Sequence, residues 1–185
     1  MRLIVFVASL FLLNCVAAQT ISSEQFFRNR LQKQKETIGK EFPSFKAKLG
    51  DSVVNNESLR GKTVFVNFWF EACPPCIAEF KGLNELYDSL KLDSSFAFIS
   101  FTYETKGTIA RVKKKYGLKF PIVSVSNTEC YRLNQENGFP TNIILDSNLA
   151  IRHIETGGNI DIDAARWHIM YRTFPLLKRI QFRGY

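Results

Sequence analysis

Apolar positions fall into short, dense runs separated by turn-forming residues, and two periods recur along the chain. Leu3–Leu13 is a nearly unbroken apolar run behind Met1 and Arg2. Residues 20–40 are polar and basic; Phe27, Leu31 and Ile38 make only a weak helical stripe, and Ser22 with Gln25 is spaced like a capping box, so a short helix or arm is expected. From Phe42 the texture changes. Pro43, Gly50-Asp51, Asn55-Asn56 and Gly61 punctuate short apolar pieces, predicting a hairpin at about 45–54. Thr63–Phe70 is almost continuously apolar, as a strand covered on both faces would be. Ile77, Phe80, Leu83, Leu86 and Leu90 then recur at helical spacing.

The same alternation continues downstream. Phe96–Phe101 reads as a second buried strand, and Ile109, Val112 and Tyr116 mark one face of a helix closed by Gly117. Pro121–Val125 reads as a strand, and a short helix is expected over 128–137, ending at Gly138. Thr141–Leu145 and Leu149–Ile154 form a hairpin turned by Asp146-Ser147-Asn148. A last helix starts near 161, its core stripe read as Ala164, Trp167, Tyr171 and Phe174 before Pro175 ends or kinks it. Strands alternating with helices, plus a terminal hairpin, predict an α/β fold with a central mixed β-sheet flanked by helices.

The first run has the form of a secretory leader: a basic start, an apolar stretch of about this length, and small residues at Ala17 and Ala18. It is short of the roughly 20 apolar residues of a comfortable membrane span. Cleavage after Ala18 is expected, which places the working protein outside the cytoplasm, in the periplasm or cell envelope. The rival readings are lipid attachment at Cys15, where Asn14 is bulkier than the usual small residue, and a retained anchor. The organisation expected is therefore a leader at 1–18, a basic arm or helix at 19–41 and one domain at 42–181.

Composition narrows the class without naming a function. The 185 residues are 45% hydrophobic and 23% charged, which excludes disorder and fibrous repeats, and the net charge of +8 admits an anionic partner without identifying one. Nothing in the pattern points to nucleic acid. Four cysteines are too few for a disulfide-framework miniprotein. Removal of the leader takes Cys15 and leaves three: Cys73, Cys76 and Cys130.

Two of these carry the chemistry. Cys73-Pro74-Pro75-Cys76 follows directly on the buried strand and opens a helix. As a structural staple the pair is poor, because a loop of about four residues contributes only roughly 2 kcal/mol and ties no distant elements together. As a reagent it is well placed. Cys73 at the N-cap lies at the positive end of the helix dipole, which favours the attacking thiolate. Pro74 and Pro75 fit the first turn, where a missing N–H costs little, and they leave the Cys76 amide as donor to the Cys73 sulfur. Cys76, deeper in the helix, is the resolving thiol. A c-type haem site would need His where Ile77 stands, and zinc would need more ligands than Cys130, His153 and His168. No metal site or cofactor is expected.

Asn67-Phe68-Trp69, the Cys73–Cys76 dithiol, Glu79-Phe80 and the later Gly138-Phe139-Pro140-Thr141 together resemble the thioredoxin superfamily, and within it exported thiol-disulfide reductases of the TlpA/ResA type, with an AhpC/TSA-redoxin-like domain. Ser58-Leu59-Arg60-Gly61-Lys62 fits the same pattern. The resemblance implies a thioredoxin-like fold with an N-terminal hairpin and a strand–helix insertion at about 105–125. It implies that Pro140 is a cis-proline beside the dithiol, with the Phe139 backbone pairing with an incoming peptide, and that Trp69 packs next to the site. Thioredoxins place a buried Asp at the position of Asn67, which cannot ionise. Glu79, one helical turn from Cys76, takes the related role in this group and would accept the proton that Cys76 must lose; the alternative is a solvated helix Glu. Many relatives carry Trp where this chain has Ala72, although Phe70 lies close by in sequence.

The function expected is thiol-disulfide exchange with protein disulfides, as a reductant recharged by a membrane thiol reductase. Two alternatives stand beside it. Peroxiredoxins share the wider fold, but Phe70 stands where they use Thr three positions before the reactive Cys; a dithiol metal-binding module is the non-enzymatic reading. Cys130 reads as a small buried apolar residue. Arg111, Lys113, Lys114, Lys115 and Lys119, with the basic stretch at 28–48, form either a solvated face or a contact with anionic envelope surface.

Overall fold

A computed structural model describes residues 22–183, so the expected leader at 1–18, with Cys15, lies outside the described residues. The chain divides into two units, one ending at Lys33 and one starting at Gln34. Helix α1 (Ser23–Thr37) begins in the first, where the Gln25 amide donates to the Ser22 hydroxyl at 3.2 Å. The second unit carries everything discussed below.

The hairpin falls where its turn residues predict, as β1 (Lys46–Leu49) and β2 (Ser52–Asn55), an antiparallel pair forming its own small sheet, followed by the single turn α2 (Asn56–Leu59). The main sheet is built from β3 (Thr63–Phe68), β4 (Phe96–Thr102), β5 (Ile122–Ser124), β6 (Thr141–Leu145) and β7 (Ile151–Thr156). Its order is β5-β4-β3-β6-β7, with β3, β4 and β5 parallel and β6 and β7 antiparallel, so the sheet is mixed. Parallel strands need crossovers, supplied by α3 (Pro74–Leu90) and α4 (Lys106–Tyr116). Helix α5 (Asn127–Leu133) leads to β6, and a continuous C-terminal helical stretch comprises α6 (Ile162–His168), a π-helical segment Ile169–Thr173 and α7 (Phe174–Arg183).

All six residues of β3 are buried, and their period of two splits them between two cores. Val64, Val66 and Phe68 pack with Ile99, Phe101, Cys130 and Ile143 on one face. Phe65 and the following Trp69 pack on the other with Phe80, Leu83 and Leu86 of α3, Phe98, Ile144 and the C-terminal helices. Helix α3 and the C-terminal helical stretch meet at Gly82, where a Cβ would sit 2.9 Å from the Ile169 Cβ. Only a residue without a side chain admits that approach.

Two predicted elements differ in detail. The helix expected to reach Gly138 stops at Leu133: Gln135 and Glu136 adopt φ of 60° and 53°, and Asn134 and Asn137 each donate a side-chain N–H to the other's carbonyl at 2.8 and 2.9 Å. These local side-chain bonds compete with a further helical turn and win. The core stripe of the last helix is also displaced. Trp167 and Tyr171 are exposed and stack on each other at 5.8 Å, while Ala165, Ile169, Thr173 and Leu177 are buried. Ala165 already sets the buried side before a π turn widens the helix from Ile169 onward. Phe174 N–H bonds to the Ile169 carbonyl, five residues back, and this wider turn accommodates Pro175 without ending the helix.

Candidate functional site: a dithiol at a helix N-terminus

Strand β3 delivers the chain to a tight turn, Phe70-Glu71-Ala72, before α3. That turn is held from outside the dithiol: the Glu71 amide donates to the Glu104 carboxylate at 2.8 Å, and Arg111 donates to both Glu71 oxygens, at 2.9 and 2.7 Å. Arg111 of the basic run is thus tied into the site's scaffold, and Lys119 pairs with Asp88, whereas Lys113, Lys114 and Lys115 are exposed on α4.

Cys73 occupies the N-cap in an extended conformation (φ −113°, ψ 94°), with Pro74 and Pro75 in the first turn. Its sulfur accepts the Cys76 amide at 3.3 Å, the bond expected from the loss of the two proline donors. Cys73 and Cys76 are joined as a disulfide with Cα atoms 5.3 Å apart. Both are nearly covered, Cys76 slightly the deeper, while the flanking Ala72 and Pro74 are exposed. Trp69 lies wholly inside, edge-on to Phe80 at 5.4 Å and in the same cluster as both cysteines, so it packs behind the dithiol and presents no outer surface.

Glu79 is 4% exposed. Its two carboxylate oxygens accept from the Asn142 side-chain amide at 3.2 and 3.1 Å. Burial pushes its pKa up to about 8; the Asn142 donor opposes that shift and the negative Glu155 adds to it. Asn142 is itself held. Asn67 donates to the Asn142 oxygen at 2.9 Å and accepts from the Ser100 hydroxyl at 2.9 Å. The register explains this row, because Ser100 is opposite Asn67 and Asn67 opposite Asn142 across β4, β3 and β6. A polar row thus crosses three strands under α3 and ends on Glu79. Asn67, at the position of the thioredoxin Asp, serves as a relay of hydrogen bonds to a carboxyl on the helix.

The Phe139–Pro140 peptide bond is cis. The loop is fixed by Thr141, whose hydroxyl donates to the Gly138 carbonyl at 2.7 Å, and by Gly157, whose amide donates to the Pro140 carbonyl at 2.9 Å. The Phe139 ring lies among Phe70 (5.3 Å), Tyr103 (5.9 Å) and Tyr131 (5.4 Å), each edge-on to it. Phe70 stacks on Tyr103 at 5.7 Å. An aromatic surface therefore borders the dithiol despite Ala72. A Cβ at Gly158 would lie 3.2 Å from a Glu79 oxygen, 3.2 Å from the Pro140 ring and 3.5 Å from Pro75, so cis-proline loop, dithiol helix and buried carboxyl converge there.

Cys130 is elsewhere, buried under the opposite face of the sheet as a free thiol whose pKa burial pushes up to about 12. It is protonated and inert at neutral pH. His153 and His168, far apart in sequence, both face Glu155, at 3.6 and 2.9 Å. Among the described residues no group of three or more His, Cys, Asp or Glu side chains is arranged to hold a metal ion, and no helix is long and apolar enough to cross a membrane. Sequence reasoning missed Asn142, Ser100, Glu71, Tyr103 and Gly158. The available signal for the first two was a polar residue at an inward position of an otherwise apolar strand.

A helix-capping dithiol behind a doubly covered strand and opposed by a cis-proline loop defines the thiol-disulfide oxidoreductases of thioredoxin fold, and known proteins agree. The chain is 32% identical over 117 residues to the thiol-disulfide oxidoreductase ResA of Bacillus cereus, covering 63% of this chain and 68% of that protein. It is 33% identical over 109 residues to ResA of Halalkalibacterium halodurans, covering 59% and 61%. The fold matches a thioredoxin-family thiol:disulfide interchange protein from Chlorobium tepidum (TM-score 0.60, 20% identity, 77% of this chain and 97% of that one) and StoA from Bacillus subtilis (0.55, 21%, 68% and 96%). The chain belongs to the AhpC/TSA family, which matches residues 38–154.

Proposed function

We propose that this oxidoreductase works outside the cytoplasm, after loss of a leader at 1–18, as a reductant of protein disulfides, its basic arm at 19–41 preceding a catalytic domain at 42–181. The reading rests chiefly on one observation: Cys73 caps α3 with its sulfur on the Cys76 amide, one turn from a buried carboxyl at Glu79 whose proton affinity burial raises towards that of a thiol, matching it to exchange a proton with Cys76. Cys73 attacks the substrate disulfide as thiolate. Cys76 gives its proton to Glu79 and attacks the mixed disulfide, releasing the reduced substrate. Phe139 and Pro140 hold the substrate backbone, the ring of Phe139 and its neighbours Phe70, Tyr103 and Tyr131 supplying apolar contact. Trp69 supports the dithiol by packing. A membrane thiol reductase returns the electrons, and the exposed lysines of α4 contact anionic envelope surface.

Two measurements test this. Cys73→Ala should abolish reduction of a model disulfide; wild-type turnover in that variant would refute the mechanism, and peroxide consumption far faster than disulfide exchange would favour a peroxidase. A reduction potential near that of thioredoxin, about −270 mV, is expected for a reductant, whereas one near about −120 mV would make the protein an oxidant.

A further inference from the structure

A buried general base is useful only if its proton can leave. Glu79 is nearly covered, yet it forms part of the wall of a cleft of about 280 Å³, lined as well by Glu155, Gly157, Gly158, Trp167 and His168. That volume has room for a short chain of water molecules, each occupying about 30 Å³ in the liquid. Exposure rises along it: Glu79 is 4% exposed, the Glu155 side chain 33% and the His168 side chain 41%. The bare backbone at Gly158 keeps the inner end open, since a Cβ there would press on a Glu79 oxygen at 3.2 Å. At the outer end the His168 Nε2 lies 2.9 Å from Glu155, which fixes the imidazole against the cleft.

We propose that this cleft is the proton port of the resolving step, and that His168, positioned by Glu155, exchanges the proton of Glu79 with solvent. The proposal rests on the role assigned to Glu79 above. In the forward direction the Cys76 S–H bond breaks and its proton passes to the Glu79 carboxylate. The Cys76 sulfur pair forms the bond to Cys73, and the substrate sulfur departs as thiolate with the electrons of the broken S–S bond. The proton then moves from Glu79 through the cleft to the His168 imidazole and out; reduction of the protein runs the path inward. Imidazole suits this task because one ring nitrogen can accept a proton while the other gives one up. The other charged groups around the path have their own places. His153 of β7 shares Glu155 at 3.6 Å, and Arg172 and Arg179 line the neighbouring cavity on the far side of Glu155 and His168. On α3, Lys81 pairs with Asp163 and Glu85 with Arg166. Glu155 itself is held below the usual carboxylate range by the His153 and His168 contacts, so it stays charged and serves as the anchor.

An aromatic disulfide that releases a coloured thiolate at each exchange separates the steps, because the first release reports attack by Cys73 and the second reports resolution by Cys76. With reduced full-length protein, His168→Ala should leave the first release unchanged and slow the second about tenfold, below the usual range for a general base because water still reaches the cleft. Free imidazole should restore the second release in His168→Ala and do nothing to wild type. Glu155→Gln should slow the same phase. An unaltered second release in His168→Ala, or a slowed one that imidazole fails to restore, would overturn the port. Glu79→Gln separates the two readings: if it resolves at the wild-type rate, the role of Glu79 fails; if it is slow while His168→Ala is normal, only the port fails.

Discussion

Glu79 concentrates the chemistry at the scale of single residues. Its pKa stands at about 8 in the folded chain against an ordinary 4.5. Between those values the folded protein holds a proton that the unfolded chain releases, so stability falls as pH rises from about 4.5 and levels off above about 8, at roughly 1.4 kcal/mol per pH unit. Glu79→Gln should remove that slope and leave the oxidised protein more stable than wild type at alkaline pH by a few kcal/mol, as read by urea unfolding at acidic, neutral and alkaline pH. Asn142 acts in the opposite sense. Its amide favours the charged carboxylate, so Asn142→Ala should raise the Glu79 pKa further and move the pH profile of the resolving step upward. A profile that stays in place would show that the amide does not set this proton affinity. Glu79 was legible in the sequence because it stands a fixed turn beyond a motif. Asn142 was not, because its partner is 63 residues away and only the β3–β6 register brings it beneath α3.

Elements supply what single residues cannot. The N-terminus of α3 presents its dipole and the Cys76 amide to the Cys73 sulfur, so in the reduced protein the Cys73 thiol should titrate below the ordinary 8.5 or so, measurable by thiolate absorbance in the ultraviolet. An ordinary or raised value would mean that burial outweighs the dipole. The contact of α3 with the C-terminal helical stretch depends on Gly82, and Gly82→Ala should cost about 1–3 kcal/mol because a Cβ would meet Ile169 and the Arg166 backbone. Period and turn chemistry made most elements readable, including the β1–β2 hairpin, the doubly buried β3 and the β6–β7 hairpin. The failures have specific causes. The reciprocal Asn134–Asn137 bonds look like ordinary helix residues until the loop is closed. The π turn at Ile169–Thr173 changes the helical phase from Ile169 onward, so a fixed 3.6-residue period does not carry a core stripe through Tyr171; before that turn the buried side is set by Ala165, which leaves Trp167 outside.

Across the whole molecule, the sheet divides labour between its faces. One face buries Cys130 among apolar side chains, where burial silences the thiol. The other carries the Ser100–Asn67–Asn142 row to Glu79 under the dithiol helix, with the cis-proline loop closing over it. Of three cysteines in the described chain, only the pair at 73 and 76 is placed to exchange, and they are assigned different tasks. Trapping tests that division most directly. With Cys76→Ala incubated with a disulfide-bonded protein substrate, mass spectrometry of the non-reduced adduct should find one substrate per chain, attached at Cys73, and none on Cys130. Release of reduced substrate by Cys76→Ala at the wild-type rate, or attachment at Cys130, would contradict the account.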